Sequence, residues 1–213
     1  MPPVVSIVGK SKSGKTTVIE RLVQELKSRG YRLATIKHAP RGGSFDEPGK
    51  DSWRHIEAGS EATVISSPDN LVLVKPVSQD TPLEEIVRLL GEDYDIILTE
   101  GFKQGNAPKI EIHCKDAGAP LKNIKKRIAI VTDEPLETKA RQFSFEDNKS
   151  LADLLERGFI KPQKQRISLY VNNGPITLTT FPKQIITNVL VAMASCLKGV
   201  KEITSLQIFL RRE

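Results

Sequence analysis

The chain has 213 residues, of which 38% are hydrophobic and 27% are charged, a composition typical of a globular protein with one α/β domain and a smaller additional unit. No stretch approaches the ~18 apolar residues of a membrane span, and the first residues lead directly into a predicted strand. We therefore expect neither a membrane span nor a secretory signal. The two cysteines, Cys114 and Cys196, lie far apart in the sequence and form no C-x-x-C motif, so we expect neither a disulfide nor a zinc site. This use of cysteine is typical of a reducing compartment, and we expect the cytoplasm.

The first motif lies between a predicted strand and a predicted helix. Residues 9–16 match G-x-x-x-x-G-K-[ST], with Gly9, Gly14, Lys15 and Thr16 at the fixed positions. A nearly continuous apolar run precedes the motif, as in a buried parallel strand, and apolar residues at helical spacing follow it. This is the context that a phosphate-binding loop requires.

The residue types of this loop suit the binding of a nucleotide and Mg²⁺. Gly9 and Gly14 allow the backbone to curl so that its N–H groups converge on phosphate oxygens, and the helix dipole adds positive charge there. Lys15 would reach the β- and γ-phosphates and stabilise the transferring phosphoryl group, and the Thr16 hydroxyl would ligate Mg²⁺.

Three further residues of the loop belong to the predicted nucleotide contacts. Ser13 and Thr17 flank the fixed glycine, lysine and threonine. Lys10 follows the first glycine, and in one dimeric class of P-loop proteins a lysine at this position reaches the nucleotide of the partner subunit. The alternative for Lys10 is a solvated loop lysine.

A second strand is predicted at residues 32–37, and it ends in Lys37 and His38. The Gly/Pro-rich segment that follows carries Asp46 and Asp51, in a region that lies beside the γ-phosphate and Mg²⁺ in P-loop proteins. Asp51 could hold the metal through water or orient an attacking water, or it could simply cap a short helix. His38 could equally be a structural or solvated histidine.

The middle of the chain contains further predicted strands and one helix. Strands are expected at residues 61–66, 70–77 and 95–100, and a helix is expected to begin at Thr81. The strand at 95–100 ends in Glu100 followed by glycine, the form of a Walker B element whose carboxylate serves Mg²⁺. A solvated glutamate at a strand end is the alternative.

Two more strands and a short helix complete this region. The segment 108–114 alternates, which predicts a strand with one polar face, and 127–131 predicts a buried strand. Asp133 follows the latter strand, where a carboxylate can accept the N1 and N2 protons of guanine, although a turn-forming aspartate is the alternative. The short helix is predicted at 151–155.

Several of these segments together resemble one family, the MobB adaptors of molybdopterin-guanine dinucleotide biosynthesis. The resemblance covers roughly residues 3–160 and rests on the segments GKSKSGKTT, IKH, DEPGKDS, AG, EGFK and PKIE. The D-x-P-G-K-D-S and E-G-F-K segments are its most specific parts, because neither is a general P-loop feature.

The resemblance implies a GTP-binding, weakly GTP-hydrolysing homodimer that assists a MobA-like guanylyltransferase in attaching GMP to molybdopterin, with molybdopterin itself or a molybdoenzyme as further partners. By the same resemblance Asp51 and Glu100 would serve Mg²⁺, and Lys37 and His38 would line the site near the γ-phosphate or the pterin. A catalytic role would fall to Lys15 and Asp51.

The chain continues beyond the expected end of the family's domain. From Lys161 onward there are eight basic residues and two acidic ones, so the entire net charge of +6 lies in this tail. Its pattern predicts a ββαβ module with strands at 167–171, 176–179 and 206–210. The charge suits a pterin phosphate, an acidic partner or a merely solvated surface, and nucleic acid less well because aromatic residues are not interleaved.

We therefore predict a three-layer α/β P-loop NTPase domain at residues 1–160 with a mostly parallel sheet, followed by a small basic α+β module at 161–213. The predicted function is that of a GTP-binding adaptor, at most a weak Mg²⁺-dependent GTPase. A small-molecule kinase and a scaffold that binds the nucleotide without turnover are the alternatives.

Overall fold

The computed structural model describes residues 1–40, 42–43, 46–163, 166–172, 174–208 and 210. The chain divides into two compact units, one formed by residues 2–163 and the other by residues 164–213 together with Met1. Within the described ranges, none of the helices combines the length and the apolar character that a membrane crossing requires.

The strands of the described residues are β1 (Val4–Gly9), β2 (Leu33–Lys37), β3 (Thr63–Ser66), β4 (Leu71–Val74), β5 (Ile96–Glu100), β6 (Lys109–Ile112), β7 (Arg127–Val131), β8 (Arg141–Phe143), β9 (Leu169–Val171) and β10 (Gly174–Ile176). The α-helices are α1 (Lys15–Ser28), α2 (Asp51–Glu57), α3 (Leu83–Leu90), α4 (Asn148–Leu155) and α5 (Thr180–Ser195). A 3₁₀ turn lies at Lys115–Ala117, and a π-helical turn at Glu156–Ile160 extends α4.

A parallel sheet organises the larger unit. Its strand order is β2-β5-β1-β6-β7-β8, and every neighbouring pair is parallel. The carboxyl ends of the strands therefore meet at one edge: Glu100 is the register partner of both Ile7 and Lys37, and Gly9 is paired with Ile112. Ligands bind at this edge in open parallel sheets, so the topology brings the predicted site residues to one side of the molecule.

The core lies where α1 and α4 cover one face of the sheet. Val18, Leu22 and Leu26 of α1 are almost completely buried and pack with strand residues that point to that face. The amphipathic pattern of α1 explains this, because its apolar residues recur every three to four positions. The predicted strand before the phosphate loop and the predicted helix after it are both confirmed.

The opposite face of the sheet is also buried but contains polar side chains. Thr99 donates a hydrogen bond to Ser6 at 2.9 Å inside the sheet, and Lys109 and Glu111 of β6 are fully buried on the same face. The alternation of residues 108–114 predicted a polar face, and the structure shows that this face is covered by protein rather than water.

The fold-class prediction is confirmed for the larger unit, with several corrections to its elements. Strand β8 was not predicted, because a three-residue strand carries almost no periodicity. The last helix begins three residues before the predicted 151–155 and continues into the π-helical turn. Strands β3 and β4 form a separate antiparallel hairpin, shorter than the predicted 61–66 and 70–77.

The smaller unit contains an antiparallel hairpin and a helix. Gly174 pairs with Val171, so β10 occupies 174–176 instead of the predicted 176–179. The predicted strand at 206–210 is wrong for residues 206–208 and 210, which form no regular structure, and Phe209 lies outside the described residues. Of the basic tail residues, Lys164, Arg211 and Arg212 likewise lie outside them.

Candidate functional site

The loop between β1 and α1 has the backbone conformation that its glycines predict. Gly14 lies at φ +88°, immediately before the helix, and a Cβ there would be 3.0 Å from the Phe145 ring. A Cβ on Gly9 would lie 2.4 Å from the carbonyl oxygen of Ile112 and 2.6 Å from the Ser13 hydroxyl. Both positions therefore require glycine, one for its left-handed conformation and the other for close packing.

This loop fits an anionic ligand. The first N–H groups of an α-helix have no intrahelical acceptors, and no side chain caps α1. The hydroxyl of Ser13 is buried and forms no hydrogen bond within the described protein. Donors of this kind, combined with the positive end of a helix dipole, form a binding site for phosphate groups.

Lys15 places a positive charge at this loop. Its Nζ donates a hydrogen bond to the carbonyl oxygen of Lys10 at 2.6 Å, which holds the ammonium group over the loop. Burial lowers the pKa of Lys15, nearby Lys103 and Lys37 lower it further, and Glu100 opposes these effects. An anion bound here would favour the charged form of the ammonium group.

The side chains of Thr16 and Glu100 meet at the carboxyl ends of the strands. The Thr16 hydroxyl donates to Oε2 of Glu100 at 3.2 Å, and Nζ of Lys37 lies 3.7 Å from the same oxygen. Among the described residues there is no group of three or more His, Cys, Asp or Glu side chains that could hold a metal ion. A hydroxyl and one carboxylate nevertheless fit Mg²⁺, which usually keeps several waters and phosphate oxygens as ligands.

His38 contacts Glu100 of the Thr16–Glu100 pair and two further residues. Its backbone N–H donates to the carbonyl oxygen of Glu100 at 2.9 Å, and its ring stacks on Phe102 at a centroid distance of 4.5 Å. The ring nitrogen Nε2 lies 2.9 Å from the carboxylate of Asp80. Gly101 lies at φ +109°, where a Cβ would approach the His38 Cβ to 2.9 Å. The glycine of E-G-F-K is thus required for the contact between the two strand ends.

The carboxylates of Asp46 and Asp51 contact residues of their own segment of the chain. Asp51 is exposed at the start of α2, and its carboxylate lies 3.7 Å from Arg54 of the same helix. Asp46 accepts hydrogen bonds from the Ser52 hydroxyl at 2.9 Å and from the backbone of Glu47 at 3.0 Å. No contact within the described ranges joins Asp51 to the loop, so its predicted metal role stays a prediction.

Asp133 lies on the other side of the phosphate loop, at the end of β7. It is exposed, and its carboxylate accepts a hydrogen bond from the backbone N–H of Lys115 at 2.9 Å. The adjacent Thr132 is buried and donates to the carbonyl oxygen of Glu134 at 2.9 Å. Glu134 in turn lies 2.9 Å from the ring of the buried His113. These contacts hold the loop that presents Asp133.

Lys10 extends over the loop that follows β6. Its Nζ lies 3.5 Å from the position that a Cβ on Gly118 would occupy. The predicted role of this lysine toward a partner subunit stays a prediction, because the structure contains a single chain.

Comparisons with known proteins decide the family. A family profile described as "MobB: Molybdopterin guanine dinucleotide synthesis protein B" matches residues 4–133, more than half of the chain. The chain belongs to the MobB family. A molybdopterin-guanine dinucleotide biosynthesis adapter protein of Haemophilus influenzae is 36% identical over 159 residues, which cover 72% of this chain and 88% of that protein. The adapter protein of Escherichia coli is 32% identical over 161 residues, covering 73% and 92%.

Solved structures agree with this assignment. A crystal structure of molybdopterin-guanine biosynthesis protein B matches with a TM-score of 0.59 and 30% identity, over 72% of this chain and 97% of that one. The family profile ends at residue 133, so the MobB similarity it records does not include the smaller unit.

In this MobB protein the sequence analysis missed a buried lysine next to the site. Lys109 is fully buried, and its Nζ donates hydrogen bonds to the carbonyl oxygens of Gly105 and Ala107. These carbonyls belong to the segment that connects Glu100 to β6. Burial lowers the pKa of Lys109, with a further contribution from Lys126. The only signal in the sequence was the P-K-I-E segment, which marked the family without indicating a role for the lysine.

An ion pair between the buried Glu111 of β6 and the partly buried Arg127 of β7 was also missed. Oε2 of Glu111 lies 3.1 Å from Nε of Arg127, and Oε1 accepts a hydrogen bond from the backbone N–H of Leu121 at 2.6 Å. The pair ties β6 and β7 to the loop between them. It therefore fixes the beginning of β7 against β6.

Proposed function

We propose that this chain is a GTP-binding adaptor with weak Mg²⁺-dependent GTPase activity, which assists the attachment of GMP to molybdopterin. The observation that carries the proposal is the convergence of Lys15, Thr16 and Glu100 at one sheet edge in a chain of the MobB family. The two relatives described above, which match this chain over most of their length, bear the name of molybdopterin-guanine dinucleotide biosynthesis adapters.

The phosphates would lie in the loop between β1 and α1. Ser13, Lys15 and the N–H groups of the first helical turn would bind them, with Gly9 and Gly14 allowing their close approach. Lys10, Thr17, Lys37 and His38 would complete the predicted surroundings. Thr16 and Glu100 would hold Mg²⁺, which neutralises charge on the transferring phosphoryl group when bound.

The choice of GTP over ATP depends on Asp133. Strand β7 lies two strands away from β1 in the sheet, a lateral separation of about 10 Å. Asp133 at the end of β7 is thus displaced sideways from the phosphate loop, and we place the base of the bound nucleotide on this side. Its exposed carboxylate could accept the two N–H groups that guanine offers and adenine does not.

Hydrolysis would depend on Lys15 and Asp51. The Lys15 ammonium would stabilise negative charge on the transferring phosphoryl group. Asp51 would orient the attacking water. The Asp51→Asn variant tests this role: it should reduce GTP hydrolysis while leaving GTP affinity nearly unchanged.

The proposed partners are a second copy of the chain and a MobA-like guanylyltransferase, with molybdopterin or a molybdoenzyme beyond them, all in the cytoplasm. The β3–β4 hairpin supports association of the larger unit, because its apolar side chains Val64 and Leu71 are 56% and 72% exposed. Exposed apolar surfaces of this kind mark interaction sites.

Calorimetry tests the nucleotide assignment. GTP and ATP are titrated with Mg²⁺ into the wild-type chain, into Asp133→Ala and into the control Asp116→Ala, which removes an exposed carboxylate from the nearby loop. We expect a GTP preference of at least about tenfold that Asp133→Ala abolishes and Asp116→Ala retains. Equal binding of both nucleotides by the wild type would refute guanine recognition.

The product of GTP turnover separates the adaptor from its alternatives. Slow release of phosphate to water supports a weak GTPase, and transfer of the phosphate to a small acceptor would identify a kinase. Stimulation of GMP attachment to molybdopterin, measured with a guanylyltransferase and lost in Lys15→Ala, would support the adaptor role. Stimulation that persists in Lys15→Ala would contradict a nucleotide-dependent mechanism.

A further inference from the structure

A short turn after strand β6 contacts both Asp133 and the phosphate loop. It consists of residues 115–118, and we call it the 115–118 turn. Strands β6 and β7 are parallel neighbours whose last residues, Ile112 and Val131, are register partners. Lys115 and Asp133 lie shortly beyond these two strand ends, so both leave the sheet at the same edge.

The 115–118 turn holds one oxygen of the Asp133 carboxylate. The backbone N–H of Lys115 donates to Oδ1 of Asp133 at 2.9 Å. The later amides of the turn bond within it, because Ala117 and Gly118 donate to the carbonyl oxygens of Cys114 and Lys115. The Asp133 carboxylate thus satisfies an amide that the turn itself leaves without an acceptor.

Both sequence neighbours of Asp133 are held by the protein. The backbone N–H of Thr132 donates to the carbonyl oxygen of Phe143 on β8 at 2.9 Å. The carboxylate of Glu134 lies 2.9 Å from the ring of the buried His113. The backbone of Asp133 is therefore fixed, and the remaining freedom of its side chain is rotation about the χ1 and χ2 torsions. The hydrogen bond from the turn selects one of the resulting orientations.

The carboxylate held in this way keeps the capacity to bind a base. An ionised carboxylate offers about four lone-pair sites, of which the Lys115 amide uses one. Guanine presents two parallel N–H groups, and a carboxylate accepts both at once only when its plane is correctly oriented. A carboxylate that is already held in one orientation loses less conformational entropy on binding than a freely rotating one.

The phosphate loop also contacts the 115–118 turn. Nζ of Lys10 lies 3.5 Å from the position that a Cβ on Gly118 would occupy. Gly118 lies at φ +70°, a left-handed conformation that glycine adopts without strain. The turn therefore contacts both parts of the proposed nucleotide site, the phosphate loop through Lys10 and the base side through Asp133.

We propose that the 115–118 turn is the positioning element for base recognition: the backbone N–H of Lys115 orients the Asp133 carboxylate for guanine and thereby sets the preference for GTP over ATP. This inference rests on the proposed binding of GTP through Asp133. Lys115 acts through Asp133 rather than on the nucleotide, and its side chain has no part in the effect. Removing the N–H should therefore weaken the binding of GTP and leave the binding of ATP unchanged.

Proline removes this N–H and is otherwise compatible with the position. Lys115 is the first residue of a helical turn, where the fixed φ of proline is favourable, and Cys114 before it lies at φ −131° and ψ 147°, the extended conformation preferred before proline. Calorimetry on the full chain with Mg²⁺ should show that Lys115→Pro lowers the preference for GTP over ATP about fivefold. The matched control is Lys115→Ala, which keeps the N–H and should keep the wild-type preference.

The pattern of losses separates this inference from the proposed function. A wild-type chain that binds GTP and ATP equally refutes guanine recognition and overturns the inference with it. A GTP preference that Asp133→Ala abolishes and Lys115→Pro retains overturns the positioning role alone. Equal loss of GTP and ATP affinity in Lys115→Pro also overturns it, because a turn needed only for folding would affect both nucleotides alike.

Amide hydrogen exchange, followed by NMR on the full chain, tests the contact without nucleotide and without proline. Exchange at the Lys115 amide should be about fivefold faster in Asp133→Ala than in the wild type, whereas exchange at the Ala117 amide should not change. Asp133→Asn retains an oxygen acceptor and should keep the Lys115 amide protected, while its NH₂ group cannot accept from guanine and the GTP preference is lost. Unchanged exchange at Lys115 in Asp133→Ala would overturn the proposal.

Discussion

The hydroxyl of Thr16 lies 3.2 Å from the carboxylate of Glu100, although 84 residues separate them in the chain. Thr16 is in the first turn of α1, and Glu100 is the last residue of β5, which pairs directly with β1. The two oxygen atoms that we propose as ligands of Mg²⁺ therefore come from adjacent elements, the strand β5 and the first helix.

Replacing Glu100 by Gln should uncouple nucleotide binding from Mg²⁺. The neutral amide keeps the size of the side chain but is a poorer ligand for a hard cation. We expect the affinity for GTP in the presence of Mg²⁺ to fall about tenfold, and the affinity measured with a chelator to change little. Glu57→Gln, an exposed change on α2, is the control, and an unchanged Mg²⁺ dependence in Glu100→Gln would remove Glu100 from the metal site.

Gly101→Ala should destabilise the larger unit. The added Cβ would lie at φ +109° and 2.9 Å from the Cβ of His38, so both backbone strain and a steric clash oppose it. We expect a loss of about 2–3 kcal/mol in the free energy of unfolding, measured by urea titration. Gly91→Ala is the matched control, because Gly91 has φ +86° but nothing within 4 Å of its Cβ position. A loss equal to that of Gly91→Ala would mean that His38 moves aside without cost.

The affinity for GTP should decrease as the pH rises. The pKa of Lys15 is lowered by burial and by its lysine neighbours, so the ammonium group loses its proton at a lower pH than an exposed lysine does. Binding of phosphate favours the charged form, and affinity is therefore greatest below the pKa of Lys15 and falls as the pH passes through it. Calorimetry across a pH series measures this. Lys103→Met removes one cause of the shift and should move the decrease to higher pH, whereas Lys122→Met should leave it in place.

Glu156 should contribute to the acid sensitivity of the fold. Its carboxylate accepts hydrogen bonds from Arg29 and Tyr31 and pairs with Lys161, and these contacts, Lys161 first, lower its pKa from 4.5 to about 2. The stabilisation is present above the unfolded pKa and is lost as the pH falls from about 4.5 toward 2. Glu156→Gln should flatten the dependence of unfolding free energy on pH in this range. Glu146→Gln, on an exposed pair with Arg21, should not.

Replacing Lys109 by Met should loosen the segment between β5 and β6. Methionine retains the apolar stem but leaves the carbonyl oxygens of Gly105 and Ala107 without their donor, at a cost of about 1–3 kcal/mol. The rate of amide hydrogen exchange at residues 102–107 should increase as the free energy of unfolding decreases. An increase spread evenly over the whole larger unit would indicate a general packing role instead.

The sequence predicted the elements with strong local signals. The glycines, lysine and threonine of the phosphate loop have fixed spacing, and the buried strands are short apolar runs between breakers, so both could be placed without a structure. The end of β5 at Glu100 followed from the same pattern. The topology then brought Lys15, Lys37 and Glu100 together, as parallel strands with a shared edge require.

The remaining features depend on tertiary contacts that a linear pattern does not contain. Lys109 and Glu111 alternate with isoleucines as on any half-exposed strand, and only the loops that cover this face turn them into buried groups. The strand predicted at 206–210 has β-branched and apolar residues but no neighbour to pair with among the described residues, and a strand without a partner is unstable.

The hydrogen-bond ladder of the sheet also fixes the position of the proposed metal ligand Glu100. Glu100 is level with Ile7 and Lys37 only because β5 is held in register between β1 and β2. A slip of β5 by one residue would displace the Glu100 carboxylate by about 3.3 Å and turn it to the other face of the sheet. Substitutions deep in β5 that contact no nucleotide should therefore displace the Glu100 carboxylate from the proposed site while leaving the helices and hairpins formed.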